Sequence, residues 1–198
     1  VTADPVRTWV TPPVLPADAL SAGAQPALVA TGNVVLRPWR AADAAAFLSA
    51  YDDPALMRWH IRRPASQEEV GRWFAQYAED WAADRGAHWA VTHDGGEVLG
   101  RIALRELNFD DGIGVVAYWT LPAARGRGVA PAALATLSTW ALDEVGFHRL
   151  ELDHSTRNAA SCRVAVKAGY ALEGTKRSAA LHEDGHHDMH LHARVRGD

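Results

Sequence analysis

Residues 34–38 alternate in polarity and are rich in β-branched side chains, which predicts a first strand. Asp43 then precedes a helical stretch through Phe47, Leu48 and Tyr51, and Pro54 opens a second short helix through Leu56 and Met57. Ser66-Gln67-Glu68-Glu69 reads as a capping box, and behind it Val70, Trp73, Phe74, Tyr77 and Trp81 recur at helical spacing. Aromatic side chains carry most of the burial energy of a small domain, so this stripe reads as core rather than as the wall of a substrate groove.

Residues 89–92 and 98–107 predict a hairpin closed by Asp94-Gly95-Gly96, and a loop over 108–114 leads into a strand over 115–121. Together these make an antiparallel meander. Residues 131–145 then read as a helix with Leu134, Leu137, Ala141 and Leu142 inward and Gly146 as its stop. Beyond it come a strand over 149–153, a short helix after Asn158, and a strand near 170–174. In the last strand Met189, Leu191, Ala193 and Val195 alternate with His190, His192 and Arg194. The polar alternation accounts for His190 and His192 as a solvated strand face. A metal shared by the two would need a third ligand from elsewhere.

Residues 1–32 break this pattern. Pro5, Pro12, Pro13, Pro16 and Pro26 are too closely spaced for a helix, so the segment reads as a loosely packed, extended leader to a domain over 33–198, although Trp9, Val10, Val14 and Leu15 could dock on it. At 198 residues the chain suits one principal domain with a sizeable core, and its formal charge of −4 argues against a nucleic-acid partner. Cys162 is the only cysteine, which excludes an intrachain disulfide and a cysteine-rich zinc site. Neither a signal peptide nor a bilayer-spanning run is seen, so a cytoplasmic protein without a membrane partner is expected.

Chemistry concentrates in Ala123-Ala124-Arg125-Gly126-Arg127-Gly128-Val129-Ala130-Pro131, which joins an apolar strand to an apolar helix through a cationic loop. Gly126 and Gly128 can take positive φ, and the first N–H groups of the following helix lack partners within it. Those donors suit an anion, and Pro131 costs nothing in a first helical turn. The spacing is neither that of a Walker A loop nor that of a dinucleotide fingerprint.

Arg125-x-x-Gly128-x-Ala130 is followed by a helix to Gly146, the strand over 149–153, Asn158-x-x-Ser161, and a short helix ending Lys167-Ala168-Gly169-Tyr170. This order resembles the GNAT superfamily of acyl-CoA N-acyltransferases, and within it the Rim-type branch that acetylates protein N-termini. The resemblance runs from Leu36-Arg37-Pro38 to Gly185-His186-His187-Asp188. It implies an α/β (α+β) fold with a mixed, mostly antiparallel central sheet flanked by helices and splayed at the acyl-CoA-binding strand.

By the same resemblance, Arg125, Gly126, Arg127, Gly128, Val129 and Ala130 would hold the pyrophosphate of acetyl-CoA, and Trp119, Thr120 and Leu121 the pantetheine arm. Asn158 and Ser161 would lie at the thioester end, with Ser161 returning a proton to the thiolate. Many relatives use instead a tyrosine on that helix, where this chain has Ala165. The glutamates that relatives carry as base are missing at Val115 and Ala180. Glu106 is the first substitute, with Asp110, Asp111 and His154 behind it, and acids on that side would favour a cationic acceptor. His192 falls where relatives often have tyrosine and would border the substrate groove.

The implied activity is acetyl-CoA-dependent N-acetylation of a primary amine, on a peptide N-terminus or a small molecule, by direct attack in a ternary complex, without a metal. A homodimer is compatible with it. Two rivals stay open. One is a non-catalytic acyl-CoA-binding or regulatory module that kept the cradle and lost the base. The other is a metal-binding protein built on His182, His186, His187, His190 and His192.

Overall fold

The computed structural model describes residues 11–198. Its eight strands form one sheet in the order β1-β2-β3-β4-β5-β6-β8-β7. The predicted meander is present as β2 (Val34–Pro38), β3 (Ala87–His93), β4 (Val98–Asn108) and β5 (Ile113–Thr120), each antiparallel to the next. At the predicted turn, Gly96 N–H donates to the His93 carbonyl at 2.8 Å and His93 N–H to the Glu97 carbonyl at 2.9 Å.

The sheet changes character between β5 and β6 (Arg149–Ser155), which run parallel and pair only at Ile113↔Arg149, Gly114↔Leu150 and Val115↔Glu151. Beyond Val115 the strands part, so the rest of β5 has an open edge. A Cβ on Gly114 would lie 2.8 Å from Cδ1 of Leu104, and one on Gly100 would collide with the Trp119 carbonyl. Both glycines therefore allow close approach beside the opening. The long hairpin of β7 (Ala171–His182) and β8 (Gly185–Val195) completes the sheet, with β8 against β6 and β7 outermost. β7 extends well past the expected residues 170–174. Its exposed outer position asks for no apolar alternation, and irregular register around Ala180 further obscures the pattern.

Helices α1 (Ala44–Ser49), α2 (Pro54–Met57) and α3 (Gln67–Ala82) lie between β2 and β3 in sequence. The capping box of α3 is offset by one residue. Ser66 Oγ accepts the Glu69 N–H at 3.2 Å, but the Glu69 carboxylate accepts from Ala65 N–H at 2.7 Å. Its aromatic stripe is core as expected: Val70, Trp73, Phe74 and Tyr77 pack with Phe47, Tyr51 and Trp119, while Trp81 meets Trp89 and Trp140 in the larger core. Tyr118 and Trp119 are neighbours on β5 but join different cores, which puts the α1–α3 cluster and helix α4 (Val129–Thr139) on opposite faces of the sheet.

Two expectations are corrected. The helix expected over 131–145 begins at Val129 and passes after Thr139 into a π-helical turn, Trp140–Val145, where Gly146 N–H donates to the Ala141 carbonyl at 3.1 Å. Residues 11–32 are mostly exposed but anchored, as the docking alternative allowed for Leu15. Leu15 and Leu20 are buried in the larger core, and β1 (Leu28–Val29) pairs with β2. The indole N–H groups of Trp81 and Trp89 need acceptors, and the carbonyls of Gly23 and Pro26 supply them, each at 2.8 Å. Trp9 and Val10 lie outside the described residues.

Candidate active site

Where β5 and β6 part, a cavity of about 670 Å³ opens between the end of β5, the loop before α4, helix α2 and helix α5 (Ala159–Lys167). The loop has the backbone that the glycines allow, with φ of 73° at Gly126 and 78° at Gly128. A side chain at either position would be strained. Gly128 is the N-cap of α4 and offers no side-chain acceptor, so the first N–H groups of the helix remain for a ligand, and Val129, Ala130 and Pro131 line the cavity.

The cations are distributed differently from the expectation. Arg125 lines the cavity but is ion-paired with Asp53 and donates to the Thr120 carbonyl at 3.3 Å, while Arg127 is not among the lining residues. Arg157, Arg163 and Lys167 face the same space. Their sequence signal was available in part, since Arg163 and Lys167 are four apart and share a face of α5. Of the three residues expected along the strand, Trp119 and Thr120 line the opening. Leu121 does not, and its N–H is bonded to the Leu99 carbonyl of β4 at 2.9 Å.

Asn158 caps α5, its Oδ1 accepting the Ser161 N–H at 3.1 Å. Ser161 Oγ lies 2.8 Å from the hydroxyl of Tyr118, across the opening on β5. Burial pushes the Tyr118 phenol up to about 12, only partly opposed by that hydrogen bond, so it stays protonated at neutral pH. Sequence reasoning missed Tyr118 because it looked for a phenol on the helix, where Ala165 stands, and not on the strand facing it.

None of the expected bases lines the cavity. Glu106 is exposed at an irregularity of β4, with φ of 51°, and lies 3.4 Å from Arg105. Asp110 and Asp111 sit in the loop beyond, Asp111 accepting from Asn108 at 2.7 Å. His154 is buried, its Nδ1 2.8 Å from the Ser155 carbonyl.

His60 does line the cavity. Its Nδ1 lies 3.0 Å from the Leu56 carbonyl, which can only accept, so Nδ1 carries the proton and Nε2 keeps its lone pair. Burial holds the imidazole below the usual histidine value; the Leu56 carbonyl opposes this, and Arg101, Arg105 and His182 add to it. The Tyr51 ring packs edge-on against it at 5.7 Å.

The histidine-rich end is not a solvated face. His192 is fully buried, and His154, His182 and His187 nearly so. Alternation correctly places His190 and His192 on one side of β8, but that side carries His154 of β6 and Cys162 of α5 beside it. His187 is separately engaged, with Nδ1 2.9 Å from Ser155 Oγ and Nε2 2.7 Å from Asp184.

Comparison with known proteins fits this architecture. The family model described as "Acetyltransferase (GNAT) domain" matches residues 33–171. YdaF of Bacillus subtilis, provisionally named a ribosomal N-acetyltransferase, is 27% identical over 59% of this chain, and the match spans 61% of YdaF. The ribosomal-protein-S5-alanine acetyltransferase of Vibrio fischeri superposes with a TM-score of 0.79 at 17% identity, over 88% of this chain and 98% of that one. RimJ of Mycobacterium smegmatis, solved with a CoA disulfide, gives a TM-score of 0.77 at 23% identity, over 86% of each chain.

Proposed function

The chain belongs to the GNAT acetyltransferase family, and on that premise we propose that it transfers an acetyl group from acetyl-CoA to a primary amine, with the α-amine of a protein N-terminus as the acceptor class. The observation that carries the reading is the uncapped start of α4 meeting the Tyr118–Ser161 hydroxyl pair within one cavity, an anion site and a proton source along one path. The acceptor class rests on the Rim-type similarity.

In this reading the N–H groups of Val129 and Ala130 bind the pyrophosphate, with Arg157, Arg163 and Lys167 supplying positive charge around it. The open edge of β5 at Trp119 and Thr120 aligns the pantetheine arm. His60 Nε2 takes a proton from the acceptor's ammonium group, directly or through water, and the resulting neutral amine attacks the thioester carbonyl. As the C–N bond forms and the C–S bond breaks, Ser161, supported by its hydrogen bond to Tyr118, gives its proton to the thiolate, and the proton shed by the new amide nitrogen returns through water to Ser161. A role for Glu106 would need water to bridge the distance from β4. Asn158 holds the Ser161 turn in place.

The test is thiol release from acetyl-CoA against a panel of amines, including peptides with free N-termini and polyamines. Turnover on a peptide α-amine, lost when that amine is blocked, is the expected result. Binding of acetyl-CoA without turnover on any amine would make the chain a non-catalytic acyl-CoA-binding module. Turnover on polyamines alone would replace the acceptor class and leave the donor side intact.

A further inference from the structure

Beneath α5, on the side away from the cavity, four potential ligand groups converge: His154 from β6, His190 and His192 from β8, and Cys162 from α5. One ligand atom from each lies within 4.8 Å of every other. The cluster is built by pairing rather than by sequence proximity, since register places His154 opposite His190 and Leu152 opposite His192. The rings are close, with centroids 5.1 Å apart for His154 and His192 and 5.4 Å for His154 and His190.

Among the described residues, no group meets hydrogen-bonding geometry at the polar atoms of its centre. Nε2 of His154, Nδ1 of His190 and both ring nitrogens of His192 are buried without a partner of hydrogen-bonding geometry, although the Tyr170 backbone approaches the His192 ring. His154 and His192 are themselves more than nine-tenths buried. Buried polar atoms are ordinarily paired, so several orphans aimed into one volume mark a missing partner.

The tautomer of His154 identifies the kind of partner. Its Nδ1 faces the Ser155 carbonyl at 2.8 Å and must donate, which leaves Nε2 as an unprotonated donor of a lone pair. A carbonyl on one ring nitrogen and an open lone pair on the other is the usual arrangement of an imidazole that binds a metal.

The geometry points to a structural zinc site formed by His154, His190, His192 and Cys162. Three imidazoles and a thiolate match zinc in softness, and four protein ligands close the tetrahedron without an open position for water. Bond lengths of that coordination put ligand atoms roughly 3.4 Å apart, so the widest separation closes by small side-chain rotations. Cys162 loses its thiol proton to solvent on binding, and no other bond changes. The ion would tie α5, which carries Ser161 and Asn158, to β6 and β8.

The test uses the full chain without a histidine tag, stripped of metal and titrated with Co2+. One equivalent per chain is expected to give the visible bands of a tetrahedral ion and a near-ultraviolet thiolate-to-cobalt band, both removed by Zn2+. Cys162→Ser should abolish the thiolate band and weaken binding by at least about a hundredfold. His190→Ala, at a ligand that is only half buried, should also weaken it. In the unaltered protein, Zn2+ should protect Cys162 from alkylation by iodoacetamide, a readout that needs no variant to fold. The proposal is overturned by absence of saturable Co2+ binding, by a cobalt spectrum unchanged in Cys162→Ser, by binding lost instead in His182→Ala, or by alkylation indifferent to Zn2+. None of these readings involves turnover, so this result and that of the amine panel stand apart.

Discussion

Helix α5 has two sides with opposite chemistry. Toward the cavity, Ser161, Arg163 and Lys167 face open space or a partner across it, and the Ser161 hydroxyl is satisfied by Tyr118. Toward the sheet, Ala165 is fully buried and Cys162 faces three histidines whose inner nitrogens have no partner. A helix of nine residues thus presents a cavity-lining surface on one side and a closed polar cluster on the other. The difference implies a division of labour: substitutions on the cavity side should alter rates and ligand affinity, and substitutions on the sheet side should alter stability.

The largest expected effect is on the cavity side. Ser161→Ala should lower kcat by about a hundredfold while leaving acetyl-CoA affinity within about twofold, because a proton donor to the leaving thiolate acts in the transition state. Tyr118→Phe should fall between this variant and the unaltered protein. Steady-state rates with parallel binding titrations test both, and a loss of affinity at unchanged kcat would reverse the assignment.

His60→Gln should reduce kcat by roughly tenfold to a hundredfold, and its pH profile is the sharper reading. His60 must be neutral to accept a proton, and burial lowers its value from 6.5 despite the Leu56 carbonyl. The acid limb of kcat/KM in the unaltered protein should therefore fall as pH drops through a midpoint below 6.5, with the rate kept above it. The Gln variant should lose that limb. An unchanged limb would return the base role to an acid such as Glu106.

On the sheet side, Ala165→Val should cost about 1–3 kcal/mol of stability by overpacking a fully buried position, with kcat per folded molecule preserved. Denaturant titration beside active-site-normalised rates measures it. A kinetic loss without a stability loss would mean that the two sides of α5 do not act separately.

The same division explains what could be read from the chain. Strands β2 to β5, the aromatic stripe and the glycine loop follow from local spacing, and the cradle could be read because helix starts bind anions through backbone, whatever the side chains. Alternation placed His190 and His192 on one face but could not say what covers it. His154 lies thirty-six residues before His190, and only the β6–β8 register and the docking of α5 bring it and Cys162 there. His60 and Tyr118 were missed for a related reason: each acquires its role from an element distant in sequence. The leader looked loose because its backbone carbonyls, at Gly23 and Pro26, serve two tryptophans of distant elements, a role no local pattern records.

The smallest expected effects test the cations, where sequence and structure diverge most. Arg125 and Arg127 stand in the loop that resembles a pyrophosphate cradle, yet Asp53 engages Arg125 and Arg127 does not line the cavity. Arg163 and Lys167 approach the same space from α5. Replacing both by Ala should weaken acetyl-CoA binding roughly tenfold and flatten its dependence on salt, since exposed charges act through a screened field. Arg127→Ala should change affinity by less than about twofold, because the backbone donors of the loop remain. Calorimetric titration at two ionic strengths separates the cases. A tenfold loss on removing Arg127 alone would show that the loop cation closes on the ligand once it is bound, and the cavity side of α5 would then share its electrostatic role with the loop.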